Sequence, residues 1–253
     1  MSTRNFHYTE VEAIAVRGLG AGEIRVLNSG EDSVTGTVSS TDDHYLDQIS
    51  LTEAGGRVQI AFPQHYDGSA ELELLVPEGI AFEATTGSAD VSAEVGLGAT
   101  RVTTGSGDIS LDSVTDVQVT TGSGDIAITT ISGAAGQVTS GSGDISIGGT
   151  AAAVQARSAS GDLSVGELTG ALRANTASGD INIGRTTGSV ESRSASGDIN
   201  VAVADSLPAW LELSSVSGEV LIGLDAGDKP ADGEPYVSIH ANTASGDISV
   251  SRA

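Results

Sequence analysis

Polar and apolar residues alternate through most of this chain, and the alternation restarts after each copy of a short acidic phrase. Counted from the acidic residue, the first following position is Val, Ile or Leu in all nine copies. The third position is also aliphatic throughout, whereas the second is Ser or Asn in seven copies. A period of two with many β-branched side chains predicts short strands that bury one face.

The phrase has five positions. The first is Ser or Thr, the second is Gly, Ala or Val, the third is Ser, the fourth is Gly and the fifth is acidic. In the first copy, Ala89 replaces the Gly of the fourth position. Its acidic residues are Asp90, Asp108, Asp125, Asp144, Asp162, Asp180, Asp198, Glu219 and Asp247. They are 17 to 19 residues apart up to Asp198, and the last two intervals are 21 and 28 residues. Repeats near this length are typical of a stacked array rather than of independent domains.

Two architectures fit this pattern, a β-solenoid with one coil per repeat and a meander of hairpins. Alternate strands of a meander run in opposite directions, so the matching columns of Ile and Val would not line up. Coils of a solenoid stack about 4.8 Å apart and would turn those columns into apolar ladders. The sequence therefore predicts an all-β, single-domain β-solenoid (β-helix) with two strands in each rung of about 18 residues and almost no helix.

The first 80 residues lack the phrase but still contain alternating, strand-like segments. These segments are 11–16, 22–27, 57–62 and 70–76. Most aromatic residues lie in the first third of the chain, as expected of a bulkier segment that closes one end of a solenoid. We therefore predict an irregular N-terminal β cap at 1–80 that is continuous with a repeat solenoid at 81–253, one structural domain overall.

The last two intervals contain extra residues, which the sequence predicts as loops at 204–213 and 224–235. The first contains Trp210, the only tryptophan, and the second is followed by Tyr236. These two aromatic residues are the candidate interaction residues. No polar or helical cap follows the last strand, so the final rung is predicted to be an exposed edge.

The residue types of the phrase suit a tight, stacked turn. Glycine fits where φ is positive or the backbone turns sharply, and the acidic side chain can accept backbone N–H groups. The alternative is a file of cations along the acidic column. Calcium prefers six to eight oxygen ligands, and one Asp with one Ser per rung is sparse for it. We therefore expect no cofactor, and calcium is the open alternative.

Composition narrows the range of partners. The formal net charge is −23, which disfavours nucleic acid and anionic lipid because both are bound through Lys and Arg. The chain has no cysteine and no apolar run of 18 residues, so neither disulfides nor a membrane span are predicted. Its start lacks the apolar segment of a secretory signal, which favours a cytoplasmic location.

No catalytic constellation stands out from the repeats. The histidines His7, His44, His65 and His240 share no spacing, so none completes a Ser-His-Asp triad at a fixed offset. Stacked carboxylates could supply a pair for glycoside cleavage, with Trp210 as the only aromatic platform. Because identical pairs along the whole length suggest scaffolding rather than one active site, we predict that the protein is not an enzyme.

The repeated Ser-Gly-Asp-Ile phrase, the Leu-Leu-Val-Pro-Glu-Gly segment at 74–79 and the less regular N-terminal strands resemble the bacterial putative-adhesin β-strand-repeat family, the toast-rack domain of unknown function. That resemblance implies no catalytic residues, and it links the chain to adhesion and envelope stress. It implies a non-enzymatic interaction scaffold that binds a protein partner or self-associates through an edge strand. A calcium-dependent adhesin and a carbohydrate-active β-helix enzyme are the two alternatives.

Overall fold

The computed structural model describes residues 2–63, 68–205, 207–224 and 235–253 and contains strands throughout, with one five-residue helix. In chain order the elements are β1 (Ser2–Thr9), β2 (Ala13–Leu19), β3 (Ala21–Asn28), β4 (Ser33–Ser40), α1 (Asp43–Asp47), β5 (Ser50–Ala54), β6 (Arg57–Ala61), β7 (Ser69–Val76), β8 (Ala81–Thr86), β9 (Asp90–Leu97), β10 (Thr100–Thr104), β11 (Ile109–Val114), β12 (Val117–Thr121), β13 (Ile126–Ile131), β14 (Ala135–Ser140), β15 (Ile145–Thr150), β16 (Ala153–Ser158), β17 (Leu163–Leu168), β18 (Ala171–Asn175), β19 (Ile181–Thr186), β20 (Ser189–Ser194), β21 (Ile199–Val203), β22 (Ala209–Ser215), β23 (Val220–Ile222), β24 (Val237–Thr243) and β25 (Ile248–Arg252). The predicted all-β fold with almost no helix is confirmed.

The chain forms two compact units, Met1–Ile128 and Thr129–Ala253, which divide within β13. In each unit the strands that follow the acidic turns form one sheet, the post-turn sheet. The strands that precede the turns form a second one, the pre-turn sheet. Neighbouring repeat strands within a unit are parallel and in register, for example Ile109 beside Val91 and Leu163 beside Ile145. Parallel pairing excludes the meander, and each unit is a β-solenoid.

The first unit contains the N-terminal strands, and four of them continue its parallel sheets. β2 lies between β8 and β6, and β3 lies between β9 and β7. Beyond them the pairing becomes antiparallel, because β4 pairs with β7, β1 pairs with β4, and β5 pairs with β6. Two buried rings pack at this end, Tyr45 against Phe62 with centroids 6.1 Å apart, as the aromatic-rich first third predicts.

The second unit departs from the order of the chain at its end. Its post-turn sheet runs β15, β17, β19, β21, β25 and β23, and its pre-turn sheet runs β14, β16, β18, β20, β24 and β22. The last strands of the chain, β24 and β25, are therefore inserted between the two preceding rungs. The prediction that the chain's final rung is the exposed edge is wrong, because that rung is paired on both sides.

The aliphatic columns form the interior of each unit, as the period-two pattern predicts. The first and third positions after the acidic residue are buried in every copy except the one that follows Glu219. The intervening positions on the same strands face solvent or are half-buried. Stacking of branched side chains between two sheets therefore holds each unit together, with few aromatic residues in the repeats.

Candidate functional site

The acidic residues of the repeats form ladders of hydrogen bonds within each unit. In the first unit, Asp90 Oδ1 accepts the Asp108 backbone N–H at 2.9 Å, and Asp108 Oδ1 accepts that of Asp125 at 2.9 Å. In the second unit the same bond, 2.8 Å long, joins successive members of the series Asp144, Asp162, Asp180, Asp198, Asp247 and Glu219. Within each ladder, the carboxylate of one rung thus accepts a backbone N–H of the next rung.

Replacing Asp162 should separate the hydrogen bond of the ladder from its charge. Asp162→Ala removes the acceptor of the Asp180 N–H, and we expect the free energy of unfolding to fall by about 1 kcal/mol. Asp162→Asn keeps an oxygen at that position and removes one of several stacked like charges, so its stability should match or exceed that of the wild type. Urea unfolding measures both variants. Equal losses in the two variants would contradict this role.

The hydroxyl four positions before the acidic residue lies inside the turn and is buried in all but one copy, Ser215. Thr176 is representative: its Oγ1 accepts the Gly179 N–H at 3.0 Å and donates to the Gly161 carbonyl of the adjacent rung at 3.4 Å. These hydroxyls point inward and bond to turn backbone on two rungs, which fixes both the turn and its stacking.

The glycine directly before the acidic residue is needed for a different reason from the one predicted. Among the residues that the structure describes, the glycines with positive φ, such as Gly30 (68°) and Gly55 (60°), lie outside the repeats. In the repeats, a Cβ added at Gly179 would lie 2.0 Å from the Gly161 carbonyl oxygen of the adjacent rung. Close approach between stacked turns, rather than an unusual φ, therefore requires glycine here.

The histidines and carboxylates form no shared centre in the part of the chain that the structure describes. His7 Nδ1 lies 3.2 Å from Thr35 Oγ1, and His240 Nδ1 lies 2.9 Å from Glu212 Oε2. His44 follows the N-cap of α1, and His65 lies outside the described residues. No group of three or more described His, Cys, Asp or Glu side chains is placed to hold a metal ion.

A polar depression of about 330 Å³ lies on the post-turn sheet of the first unit. It is lined by Glu23, Arg25, Thr37, Ser39, Glu71, Leu72 and Glu73. Arg25 is paired with Glu23 and with Glu94, both at 3.6 Å. These lining residues include no aromatic ring, so the depression lacks the platform that the carbohydrate-active alternative requires.

The two predicted interaction residues, Trp210 and Tyr236, lie in or next to neighbouring strands at the end of the second unit. Trp210 is in β22 rather than in the predicted loop, and it is 38% exposed. Tyr236 directly precedes β24, the strand that pairs with β22, and it is 49% exposed. Residues 225–234 of the second predicted loop lie outside the described residues.

We define the terminal rung as Ala209–Ser215 of β22 and Val220–Ile222 of β23. Val220 and Ile222 are 40% and 55% exposed, although they occupy the two core columns that are buried in the other copies. Leu221 and Val216 are exposed as well. The sequence signal that could have identified this surface is the pair of long intervals on either side of Glu219.

No described helix is long and apolar enough to cross a bilayer. Solved structures similar to this chain include a putative lipid binding protein from Parabacteroides distasonis ATCC 8503, with 17% identity, a TM-score of 0.46 and coverage of 98% of this chain and 96% of that chain. A putative adhesin from Bacteroides fragilis NCTC 9343 has 14% identity, a TM-score of 0.45 and coverage of 98% and 97%. A putative adhesin from Parabacteroides merdae ATCC 43184 has 10% identity, a TM-score of 0.45 and coverage of 98% and 95%.

No curated protein matches the chain. A sequence model of the family described as Toastrack DUF4097 matches residues 16–251. The match spans both units and contains all nine copies of the acidic phrase. The resemblance seen in the repeats is thereby confirmed, and the chain belongs to the Toastrack DUF4097 family.

Proposed function

We propose that this protein is a non-enzymatic scaffold that binds another protein, with the terminal rung as its contact surface. The observation that carries the proposal is the exposure of core-column side chains on that rung, next to Trp210 and Tyr236. Exposed apolar patches on soluble proteins commonly mark interaction sites. The remaining acidic turns are uniform and bind backbone groups of neighbouring rungs, which suits a structural role.

The absence of a distinct catalytic cluster supports the non-enzymatic part of the proposal. The acidic residues of the nine phrases recur as equivalent members of the ladders, whereas an active site requires groups in distinct roles. Calcium-dependent adhesion and a link to envelope stress stay predictions. Calcium would be detected as a rise in melting temperature larger than magnesium produces at equal ionic strength, because simple screening affects both ions alike.

The proposal predicts that immobilised full-length protein retains a specific partner, and that the double variant Trp210→Ala/Tyr236→Ala retains much less of it. The variant removes two exposed rings and should leave the melting temperature nearly unchanged. Arg185→Ala is a matched control, because it removes only an exposed ion pair with Glu167. Failure to retain any partner, together with strictly monomeric sedimentation, would overturn the proposal.

A further inference from the structure

The terminal rung is paired on one side only within the described ranges. β22 pairs with β24 over seven residues, and β23 pairs with β25 over three. These two strands end the two sheets of the second unit. An unpaired strand edge presents a row of N–H and C=O groups that another strand can bind.

The ladder bonds show which backbone groups of the terminal rung face the open side. The Pro208 carbonyl accepts the Val237 N–H at 3.0 Å, and the Val216 N–H donates to the Thr243 carbonyl at 3.3 Å. Backbone groups alternate in direction along a strand, so the even-numbered residues of β22 direct their N–H and C=O groups to β24. Leu211 and Leu213 therefore direct their N–H and C=O groups to the open side.

The same alternation holds for the shorter strand of the rung. The Glu219 carbonyl accepts the Ile248 N–H at 2.9 Å, and the Gly223 N–H donates to the Val250 carbonyl at 2.8 Å. Val220 and Ile222 therefore direct their backbone groups outward, while their side chains continue the core columns. Ile248 and Val250 occupy the same columns in the adjacent rung and are 0% exposed. One further layer of apolar side chains would therefore cover Val220 and Ile222 in the same way.

The charge of this surface identifies the kind of strand that fits it. Residues 207–224 contain two carboxylates, Glu212 and Glu219, and no Lys or Arg. The Glu219 N–H binds Asp247 Oδ1 at 2.8 Å, so Glu219 is the last acidic residue of its ladder. A second copy would bring the same two carboxylates and another net charge of −23 to the interface. Charge complementarity therefore favours a basic partner.

We propose that the terminal rung binds an extended, basic segment of another protein by strand addition to the open edge of β22. The bound segment carries apolar side chains at alternate positions, which cover Leu211 and Leu213, and Lys or Arg at the intervening positions, which face Glu212. Main-chain hydrogen bonds supply the binding, and the alternating side chains supply the selectivity. This inference rests on the proposed scaffold function and specifies the partner of the same surface.

A synthetic peptide tests the proposal on the full-length protein. The probe has seven residues, the length of β22, and alternates Lys with Val. Trp210 is the only tryptophan, so its fluorescence reports directly on the terminal rung. We expect a saturable change in emission, and at least about tenfold weaker binding to Leu211→Pro. This substitution removes an outward N–H from β22 but no bond to β24.

The control peptide has the same sequence with every backbone nitrogen methylated, which keeps the charge and removes all N–H groups needed for strand pairing in either direction. Equal binding of the two peptides, or unchanged binding to a folded Leu211→Pro variant, would overturn strand addition. A wild-type dimer that Leu211→Pro dissociates would overturn it as well, because a second copy would then occupy the edge. If Leu211→Pro still retains the natural partner, the scaffold function stands and only the strand-addition inference fails.

Discussion

Gly179→Ala should destabilise the second unit by about 3 kcal/mol or more, or prevent it from folding. The added Cβ would lie 2.0 Å from the oxygen, 2.5 Å from the carbon of the Gly161 carbonyl and 3.0 Å from the Asp162 nitrogen. These atoms belong to a stacked turn, so they cannot move as a flexible side chain would. Relief of the clash requires the two rungs to separate, which would lengthen the bond from Asp162 Oδ1 to the Asp180 N–H.

Gly149→Ala is the matched control for this prediction, since it makes the same change in β15 of the second unit, away from the stacked acidic turns. The nearest atom to its added Cβ is the Glu167 carbonyl oxygen, at 3.8 Å. We expect its unfolding free energy to stay within about 0.5 kcal/mol of the wild type. Urea unfolding followed by circular dichroism measures both variants, and similar stabilities for the two would show that rung spacing does not require the glycine.

The first copy of the phrase has Ala89 where the other copies have glycine, and the stacking of its turn explains why a side chain is tolerated there. Its turn stacks on residues 19–20, because the Gly87 N–H donates to the Leu19 carbonyl and the Ser88 N–H to the Gly20 carbonyl. No copy of the phrase lies beneath it in the first unit. A departure from the repeat therefore marks the point where identical turns stop stacking, and the sequence alone contained that signal.

The sequence was sufficient to predict the strands, the turns and the register of the repeats, because each depends on short-range alternation and stacking of equivalent positions. The spacing of acidic residues predicts that Ile181 lies beside Leu163, and the structure confirms it. The partners of the turn groups could not be predicted in the same way. Both the carboxylate and the inner hydroxyl bind backbone groups of an adjacent rung, and a pattern of residue types does not specify which rung.

The exposed surface could not be predicted from chain order, because it depends on which strands pair at long range. The strand β24 has the same inward column as β20 and β22, with Ile239 beside both Val190 and Leu211. Local alternation therefore suits either order of the last two rungs. The sequence identified Trp210 and Tyr236 as candidates from the long intervals, but it placed the open edge at the end of the chain instead of at β22 and β23.

Ile248→Asp should lower the free energy of unfolding by several kcal/mol more than Ile222→Asp does. The position of Ile248 near the end of the chain suggests the opposite order. Ile248 is in the last strand of the chain, yet it is 0% exposed because β25 lies between β21 and β23. Asp there loses the buried aliphatic group and places a carboxylate in the core, so we expect a loss of about 5 kcal/mol or more, or failure to fold.

Ile222 is the matched control, because it is the same residue type in a core column but is 55% exposed on the terminal rung. Its replacement by Asp should cost less than about 1 kcal/mol, since the carboxylate reaches water. Urea unfolding gives both values, and Ile248→Ala, expected to lose about 2–5 kcal/mol, serves if Ile248→Asp does not fold. A larger loss at Ile222 than at Ile248 would mean that the rungs stack in chain order, and the open edge would then belong to β24 and β25.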